Sequence, residues 1–233
     1  MVIDSKSLKN TFYDEKKIKN NSLKTYSCLI LLSYIKDNKS KERIFSHKDL
    51  NLSRMEKILK MDRRTIQKHI FQLEENNLLL YNVKDPEYLK LKTNKEKWNY
   101  RKHRKNTYYI LHCLDCFRKI PQETLEFLIT NENISELTYK IYIVLTNYQK
   151  ATTLYKKEKK YFTLQDIRDI LGYEKHFDID KKIRDSLYTL KEYGLIDYNT
   201  CFYNNNDSER IKGYILSQVN FYVNEESGID EKR

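Results

Sequence analysis

Glycine and proline are scarce in this sequence, with four and two residues among 233. Both residue types mark tight turns and helix ends, and both fall far below their average usage here. A chain so poor in them is expected to be mainly helical, with few tight hairpins. Four glycines also cannot supply a glycine-rich phosphate loop, which argues against an ATPase or a helicase.

Cysteine is sparse and long apolar runs are missing. Four Cys at irregular positions do not resemble a disulfide framework. The longest apolar run, CLILLSYI at 28–35, is too short to span a bilayer, and no secretory signal is visible. We therefore expect a cytoplasmic protein with no membrane partner.

Clustered metal ligands and catalytic motifs are missing as well. The five His form no close pair of metal-binding type, and a nicking enzyme would need such a cluster beside a nucleophilic Tyr. HCLDC at 112–116 offers two Cys where a structural zinc site needs four ligands. DID at 178–180 fits helix capping better than a nuclease site. We predict no catalytic residues, no metal and no cofactor.

Charge is abundant but unevenly distributed. The net charge of the chain is +11. Residues 1–119 contain 28 basic and 14 acidic residues, a net charge of +14, whereas residues 120–233 contain 16 and 19, a net charge of −3. A concentrated positive field attracts polyanions and supplies sequence-independent affinity for them. The first half of the chain is thus the part expected to bind nucleic acid.

A repeat with a constant offset links the two halves. LKTYSCLILLSYI, IFSHKDL and RRTIQKHIFQLEENNLLLYN in the first half correspond to LTYKIYIVLTNY, YFTLQDI and DKKIRDSLYTLKEYGLIDYN in the second. A constant offset of 117 residues is difficult to obtain from two unrelated amphipathic helices. The matched apolar pairs are Phe45–Phe162, Leu50–Ile167, Ile66–Ile183, Ile70–Leu187, Leu73–Leu190 and Leu78–Leu195.

Each repeat predicts the same order of elements. A helix with apolar residues at helical spacing is followed by a short extended piece, two further helices and returning strands. Asn77 and Gly194 occupy the same position at the end of the third helix, and both residue types tolerate a left-handed backbone. The predicted helix N-caps are Ser46 and Asp62 in the first repeat and Thr163 and Asp180 in the second.

With these patterns the chain resembles tandem winged-helix proteins, in particular the replication initiators of bacterial plasmids and related mobile elements. DRRTIQKHIFQLEENNLL as a recognition helix and RKNTYYIL as a returning wing strand carry the resemblance. It implies an α+β, mainly α fold of two tandem winged helix-turn-helix domains, each with a small antiparallel β-hairpin wing. The expected division is an N-terminal arm at 1–22, a basic first domain at 23–119, a linker at 120–136, a second domain at 137–223 and a C-terminal tail at 224–233.

The start of the third helix has basic residues where the helix dipole disfavours them. In the family, this part of the helix enters the major groove. Arg pairs there with guanine and Gln with adenine, although a solvated basic face is the simpler alternative. The predicted DNA contacts in this helix are Arg63, Arg64, Thr65, Gln67 and Lys68.

Residues 88–109 form a second basic segment, which we predict to be the wing. Its Lys and Arg would neutralise phosphates, and an Arg could enter a narrow minor groove. A basic loop without a defined target is the alternative, and Trp98 could anchor the wing against its own domain. The predicted DNA contacts in this segment are Lys95, Lys97, Arg101, Lys102, Arg104 and Lys105.

The third helix of the second repeat is less basic. Its first turns contain Lys181, Lys182 and Arg184, which we predict as further DNA contacts. Asp178, Asp180 and Asp185 balance their charge. This helix could bind a second DNA segment, a second protomer or a host protein.

Together these patterns predict a non-enzymatic, sequence-specific double-stranded-DNA-binding protein. The resemblance implies replication initiation for a plasmid or mobile element, through repeated origin sites. A transcriptional regulator or a conjugation accessory protein is an alternative with the same fold, and a protein-interaction adaptor is an alternative of another class. The expected partner is double-stranded DNA; a homodimer and a host replication protein stay open as further partners.

Overall fold

The computed structural model describes residues 22–35, 42–46, 50–82, 86–102, 108–112, 120–155, 161–173, 177–204 and 210–222. The chain divides into two compact units, with a boundary between Lys119 and Ile120. The described residues are mainly helical and form small antiparallel sheets. This confirms the predicted α+β, mainly α class. The predicted arm at 1–22, apart from Ser22, and the predicted tail at 224–233 lie outside the described residues.

The first unit begins with a helix and alternates short strands with helices. Its strands form an antiparallel sheet in the order β1-β2-β4-β3. Its elements are α1 (Ser22–Leu32), β1 (Tyr34–Ile35), β2 (Glu42–Ser46), α2 (Leu52–Leu59), α3 (Arg63–Glu75), β3 (Leu79–Asn82), α4 (Pro86–Lys90), α5 (Asn94–Lys102) and β4 (Tyr108–His112).

The second unit has the same order of elements but adds a helix before it. Its sheet has the strand order β5-β7-β6. Its elements are α6 (Gln122–Thr130), α7 (Glu136–Tyr155), β5 (Tyr161–Phe162), α8 (Leu164–Leu171), α9 (Phe177–Glu192), β6 (Ile196–Asn204) and β7 (Arg210–Val219).

The segment 120–136, which the sequence predicts to be a linker, belongs instead to the second unit. It contains α6, whose Leu125, Leu128 and Ile129 are buried. The Phe127 ring stacks on Tyr222 with centroids 4.1 Å apart. The amphipathic sequence of α6 therefore covers part of the core of the second unit, which no solvated linker would do.

An aromatic triad holds each sheet together at the same place. In both units the last strand is central in the sheet, and its tyrosine contacts aromatic rings on the two neighbouring strands. The ring centroids are 4.9 to 5.5 Å apart, within the favourable range for aromatic pairs. The triads are Phe45, Tyr109 and Tyr81 in the first unit, and Phe162, Tyr214 and Tyr198 in the second.

The third helix of each unit buries its predicted apolar stripe and ends in the same way. The stripe residues Ile66 and Ile183 are fully buried. Asn77 and Gly194 have positive φ angles of 57° and 65°, which confirms the predicted left-handed helix ends. The Leu78 N–H donates to the Leu73 carbonyl at 2.9 Å, and an equally long bond lies 117 residues later in the chain. Both ends thus have the hydrogen bonds of a Schellman motif.

The second helix does not keep the offset of 117 residues. Helices α2 and α8 are equally long, and their N-caps, Asn51 and Thr163, are 112 residues apart. Met55 is therefore the equivalent of Ile167, and the predicted pairing of Leu50 with Ile167 is wrong. The predicted cap Ser46 is the last residue of β2, because five residues separate β2 from α2 whereas Thr163 alone separates β5 from α8.

A buried polar contact joins the first and third helices of each unit. In the first unit the Thr25 hydroxyl and His69 Nδ1 are 3.0 Å apart. In the second unit the Thr138 hydroxyl donates to the Ser186 hydroxyl at 3.0 Å. His69 and Ser186 are again 117 residues apart. Burial, together with the neighbouring charge of Lys68, lowers the pKa of His69 to about 4.

The left-handed helix ends give a prediction on stability. Gly194→Ala should destabilise the protein by about 1 to 2 kcal/mol, because an L side chain is disfavoured at positive φ. No atom lies within 4 Å of the added Cβ, so the loss comes from the backbone alone. Asn77→Gly should be neutral or slightly stabilising. Chemical denaturation measures both, with Lys182→Ala on the exposed helix surface as control; equal losses for all three variants would contradict the assignment.

His69 should make the stability of the protein depend on pH. Its folded-state pKa of about 4 lies below the value of 6.5 for an exposed His, so the unfolded chain binds the extra proton between these limits. Stability should therefore fall as the pH decreases from about 6.5 to about 4, by at most about 3 kcal/mol from this group.

His69→Ser, which introduces the residue of the second unit at this position, is the matched variant. Thermal unfolding of both proteins across this pH range isolates the contribution of His69. Parallel stability curves for the two proteins would show that His69 is not buried in its neutral form.

Candidate nucleic-acid interface

The N-terminus of α3 is capped by Asp62, as predicted. Asp62 Oδ1 accepts hydrogen bonds from the backbone N–H groups of Arg64 (2.9 Å) and Thr65 (3.0 Å). The Thr65 hydroxyl donates to Oδ2, and this bond makes the largest contribution to the lowered pKa of Asp62. The carboxylate offsets the positive end of the helix, where arginines would otherwise be unfavourable. The Thr65 hydroxyl is thus engaged within the protein.

The first arginine of α3 is attached to α2. Arg63 Nε donates to Glu56 Oε2 at 2.6 Å, and Arg63 Nη2 donates to the Ser53 hydroxyl at 3.0 Å. The Arg63 side chain is 56% exposed, so the ion pair contributes less than about 1 kcal/mol to stability. Glu56 nevertheless compensates the charge of Arg63, which reduces its value as a phosphate ligand.

Arg64 and Lys68 form the uncompensated basic part of α3. Both side chains are exposed, and they lie one helical turn apart on the side away from Ile66 and Ile70. Gln67, between them, is half-buried. Among the described residues neither cation has an ion-pair partner, so both charges are available to an anionic ligand.

The predicted wing segment is largely helical. Instead of a basic loop between two strands, the structure has α4 and α5 between β3 and β4. The sequence contains the signal for α5, because TNKE at 93–96 matches a capping box. The Thr93 hydroxyl accepts the Glu96 N–H at 3.2 Å, and Glu96 Oε2 accepts the Thr93 N–H at 2.9 Å.

Arg101, a predicted DNA contact, is buried inside the first unit. Its side chain is fully buried, and Nη1 and Nη2 each donate to one carboxylate oxygen of Glu74 at 2.8 Å. The Tyr88 hydroxyl also accepts from the guanidinium. Burial disfavours the charged form, but these partners hold the pKa of Arg101 above its ordinary value. A guanidinium enclosed in this way cannot contact DNA, and Arg101 leaves the set of candidate contacts.

Aromatic rings complete the enclosure of Arg101. The guanidinium carbon lies 4.3 Å from the centroid of Tyr81 and 4.7 Å from that of Phe71. The Trp98 ring packs edge-on against Phe71, with centroids 6.0 Å apart, and is buried. Trp98 therefore anchors α5 to α3, which was one of the two alternatives for this residue. Sequence reasoning missed Glu74 and Tyr88, because nothing in a linear pattern pairs residues 27 or 13 positions apart.

The remaining lysines of the α4–α5 segment lie at its surface. Lys95 and Lys102 are exposed and Lys97 is half-buried. Because α5 is attached to α3 through Arg101 and Trp98, these lysines occupy a fixed body rather than a loose loop. Lys90 and Lys92, on and just after α4, are exposed as well. The predicted contacts Arg104 and Lys105 lie outside the described residues.

The corresponding helix of the second unit, α9, carries mixed charge. Lys181, Lys182 and Arg184 are all exposed, as a binding role requires. Asp180, predicted to cap the helix, lies inside it and forms an ion pair with the buried Arg168 of α8. Asp180 thus joins α8 to α9, because a buried arginine needs a carboxylate partner.

The two third helices differ in how much of their length is open. Phe71 of α3 is covered by Trp98 and is 5% exposed. Its equivalent in α9, Tyr188, is 62% exposed, because only residues 205–209 connect β6 to β7 and no helical segment covers it. The open part of α3 is therefore restricted to its first two turns.

The structure was also searched for metal sites and membrane spans. Among the described residues, no group of His, Cys, Asp and Glu side chains is arranged to hold a metal ion. Cys113 and Cys116 of the HCLDC motif lie outside them. None of the described helices combines the length and apolarity needed to cross a bilayer.

Comparisons with known proteins gave no match. No protein-family model, no curated protein and no solved structure matches the chain.

The buried cluster predicts a strong effect of Arg101 on stability. Arg101→Ala should destabilise the protein by about 3 to 5 kcal/mol, because it leaves Glu74 buried without its partner. Hydrogen exchange should become faster in α4 and α5, which lose their attachment to α3. Chemical denaturation and hydrogen-exchange mass spectrometry measure the two effects.

The adjacent Lys102 provides the control for this prediction. Lys102→Ala removes an exposed cation from the same helix and should change stability by less than about 0.5 kcal/mol. Equal stability of the Arg101 and Lys102 variants would show that the cluster does not hold α5 in place.

Proposed function

We propose that the chain is a sequence-specific double-stranded-DNA-binding protein built from two tandem winged-helix units. The shared order of helix, short strand, two helices and paired strands supports this fold. The central last strand, the repeated aromatic triad and the matched helix ends further support a duplicated unit.

The observation that carries the proposal is the uncompensated pair Arg64 and Lys68 at the start of α3. In a helix-turn-helix arrangement the N-terminal residues of this helix contact base edges and phosphates. Arg64 is suited to bidentate contact with guanine, and Lys68 to a phosphate. Asp62 makes the arrangement stable without a ligand, because it satisfies the helix end beside them.

The α4–α5 segment supplies additional positive charge on the same unit. Its lysines replace the basic wing that the sequence predicts. They are suited to phosphates rather than bases, since a lysine ammonium is a point charge without a fixed hydrogen-bonding plane. We assign to this segment a non-specific, salt-sensitive share of the affinity.

The biological role that we favour is replication initiation for a plasmid or mobile element, in the bacterial cytoplasm. The proposal rests on the resemblance of the third helix and the returning strand to tandem winged-helix initiators. A transcriptional regulator or a conjugation accessory protein would use the same surface, because one fold serves several roles.

Selection of bound duplexes from a random pool at physiological salt tests the proposed function. Enrichment of one motif is the expected result. Direct repeats of that motif near the gene would favour an initiator, and a palindrome at a promoter would favour a regulator. A pool that stays random after selection would contradict sequence-specific binding.

Two single variants should separate base recognition from phosphate binding. Arg64→Ala should weaken binding to the selected motif by roughly 10- to 100-fold and relax the preference at one position. Lys68→Gln should weaken binding to all duplexes and lower the salt-dependence slope by about 1. Fluorescence anisotropy titrations at several salt concentrations measure both quantities.

Lys191→Gln is the matched control, because this lysine of the second unit is paired with Asp197 at 3.1 Å. It should leave both affinity and salt dependence unchanged. If the Arg64 and Lys68 variants behave like the control, α3 does not contact DNA.

A further inference from the structure

The inner face of the β6–β7 hairpin changes from buried to exposed along its length. Side chains of a strand alternate between its two faces, so Tyr198, Thr200 and Phe202 share one face. On β7, Tyr214 lies opposite Thr200 and is 4% exposed, whereas Phe202, one pair farther along, is 56% exposed. A large aromatic ring thus stands at the surface where the sheet no longer covers the core.

Two cations flank this ring. The guanidinium carbon of Arg210 lies 4.4 Å from the centroid of Phe202, over its face. Lys212 is the direct cross-strand neighbour of Phe202, and its side chain is exposed. Arg210 covers one face of the ring, which leaves the exposed area on the other.

The same face continues to the start of α9. Tyr214 is close enough to Arg184 and Asp180 for both charges to affect its pKa, which burial raises. Asp180 is neutralised by Arg168, so the charges that stay uncompensated along this face are cationic. This strip, comprising Arg184, Lys212, Phe202 and Arg210, lies in a unit of the chain whose net charge is negative.

We propose that this strip binds single-stranded DNA, with an unpaired base stacked on the open face of Phe202. Arg210 and Lys212 would contact the phosphates on either side of that base. The proposal goes beyond duplex recognition by α3, although it rests on the protein acting on nucleic acid. It also gives the second unit a nucleic-acid contact that does not depend on Lys181 and Lys182.

The ring favours a single strand over a duplex on physical grounds. A phenylalanine has no group that can donate a hydrogen bond to a phosphate. In an intact duplex the faces of each base are already stacked on their neighbours, whereas an unpaired base offers its face to an aromatic side chain. Such stacking is tolerant of sequence, and surrounding cations follow the backbone. An exposed ring between two cations has this combination of groups.

The test compares binding of the full chain to a labelled DNA strand of mixed sequence and to the corresponding duplex. Phe202→Ala should weaken binding to the single strand about tenfold and leave duplex binding unchanged. Phe202→Trp should keep single-strand binding, and its fluorescence should be quenched by the stacked base. The native Trp98 is 4% exposed and provides a constant background.

Ile215→Ala is the matched control, because Ile215 is 38% exposed and follows Tyr214 on the opposite face of the same strand. It should leave single-strand binding unchanged. Arg64→Ala should in turn affect the duplex only. Loss of duplex binding by the native protein with retained single-strand binding would refute the proposed α3 function and leave this proposal standing.

Three results would overturn the proposal. The first is native protein that does not bind the single strand. The second is equal behaviour of the Phe202→Ala and Ile215→Ala variants. The third is a Phe202→Ala variant that loses duplex and single-strand binding equally, which would make Phe202 a contact of the duplex backbone.

Discussion

A buried positive charge is the constraint on which the surface of the first unit depends. A guanidinium without water needs a carboxylate and further hydrogen-bond acceptors, and Arg101 finds them in Glu74 and Tyr88. These residues come from α3, α4 and α5, so satisfying one charge fixes three helices together. The exposed lysines of α4 and α5 are positioned by this contact, and the surface proposed to bind phosphates depends on a residue that itself touches no ligand.

The two units keep the same internal contacts while their surfaces differ. The aromatic triads, the left-handed helix ends and the polar contact between first and third helices recur in both. Surface positions have changed instead: Lys68 corresponds to Asp185, and the covered Phe71 to the exposed Tyr188. Stability requirements preserve packed positions, whereas partner requirements determine exposed ones. The units are therefore suited to different partners, a duplex for the first and a single strand for the second in our proposals.

The repeat and its buried stripes could be predicted from the sequence, because helical periodicity and helix-end residues are local signals. Ile66, Asn77 and Asp62 are in the predicted roles. The α4–α5 segment could not be predicted from charge alone, since a run of lysines looks alike in a loop and on a helix. Arg101 shows the same limit: its sequence neighbours are basic, and only the fold brings a distant carboxylate to it. The shifted offset of α2 results from unequal loops, which no constant-offset comparison detects.

The cover that Trp98 places over Phe71 limits how much information the first unit can obtain from DNA. The open stretch of α3, from Arg64 to Lys68, is about 7 Å long, which corresponds to roughly two base-pair steps. So short a word occurs by chance throughout any genome. One copy of this helix cannot specify a unique address, and selectivity would have to come from counting: several copies of the chain on adjacent words, each individually ambiguous, would together define one locus.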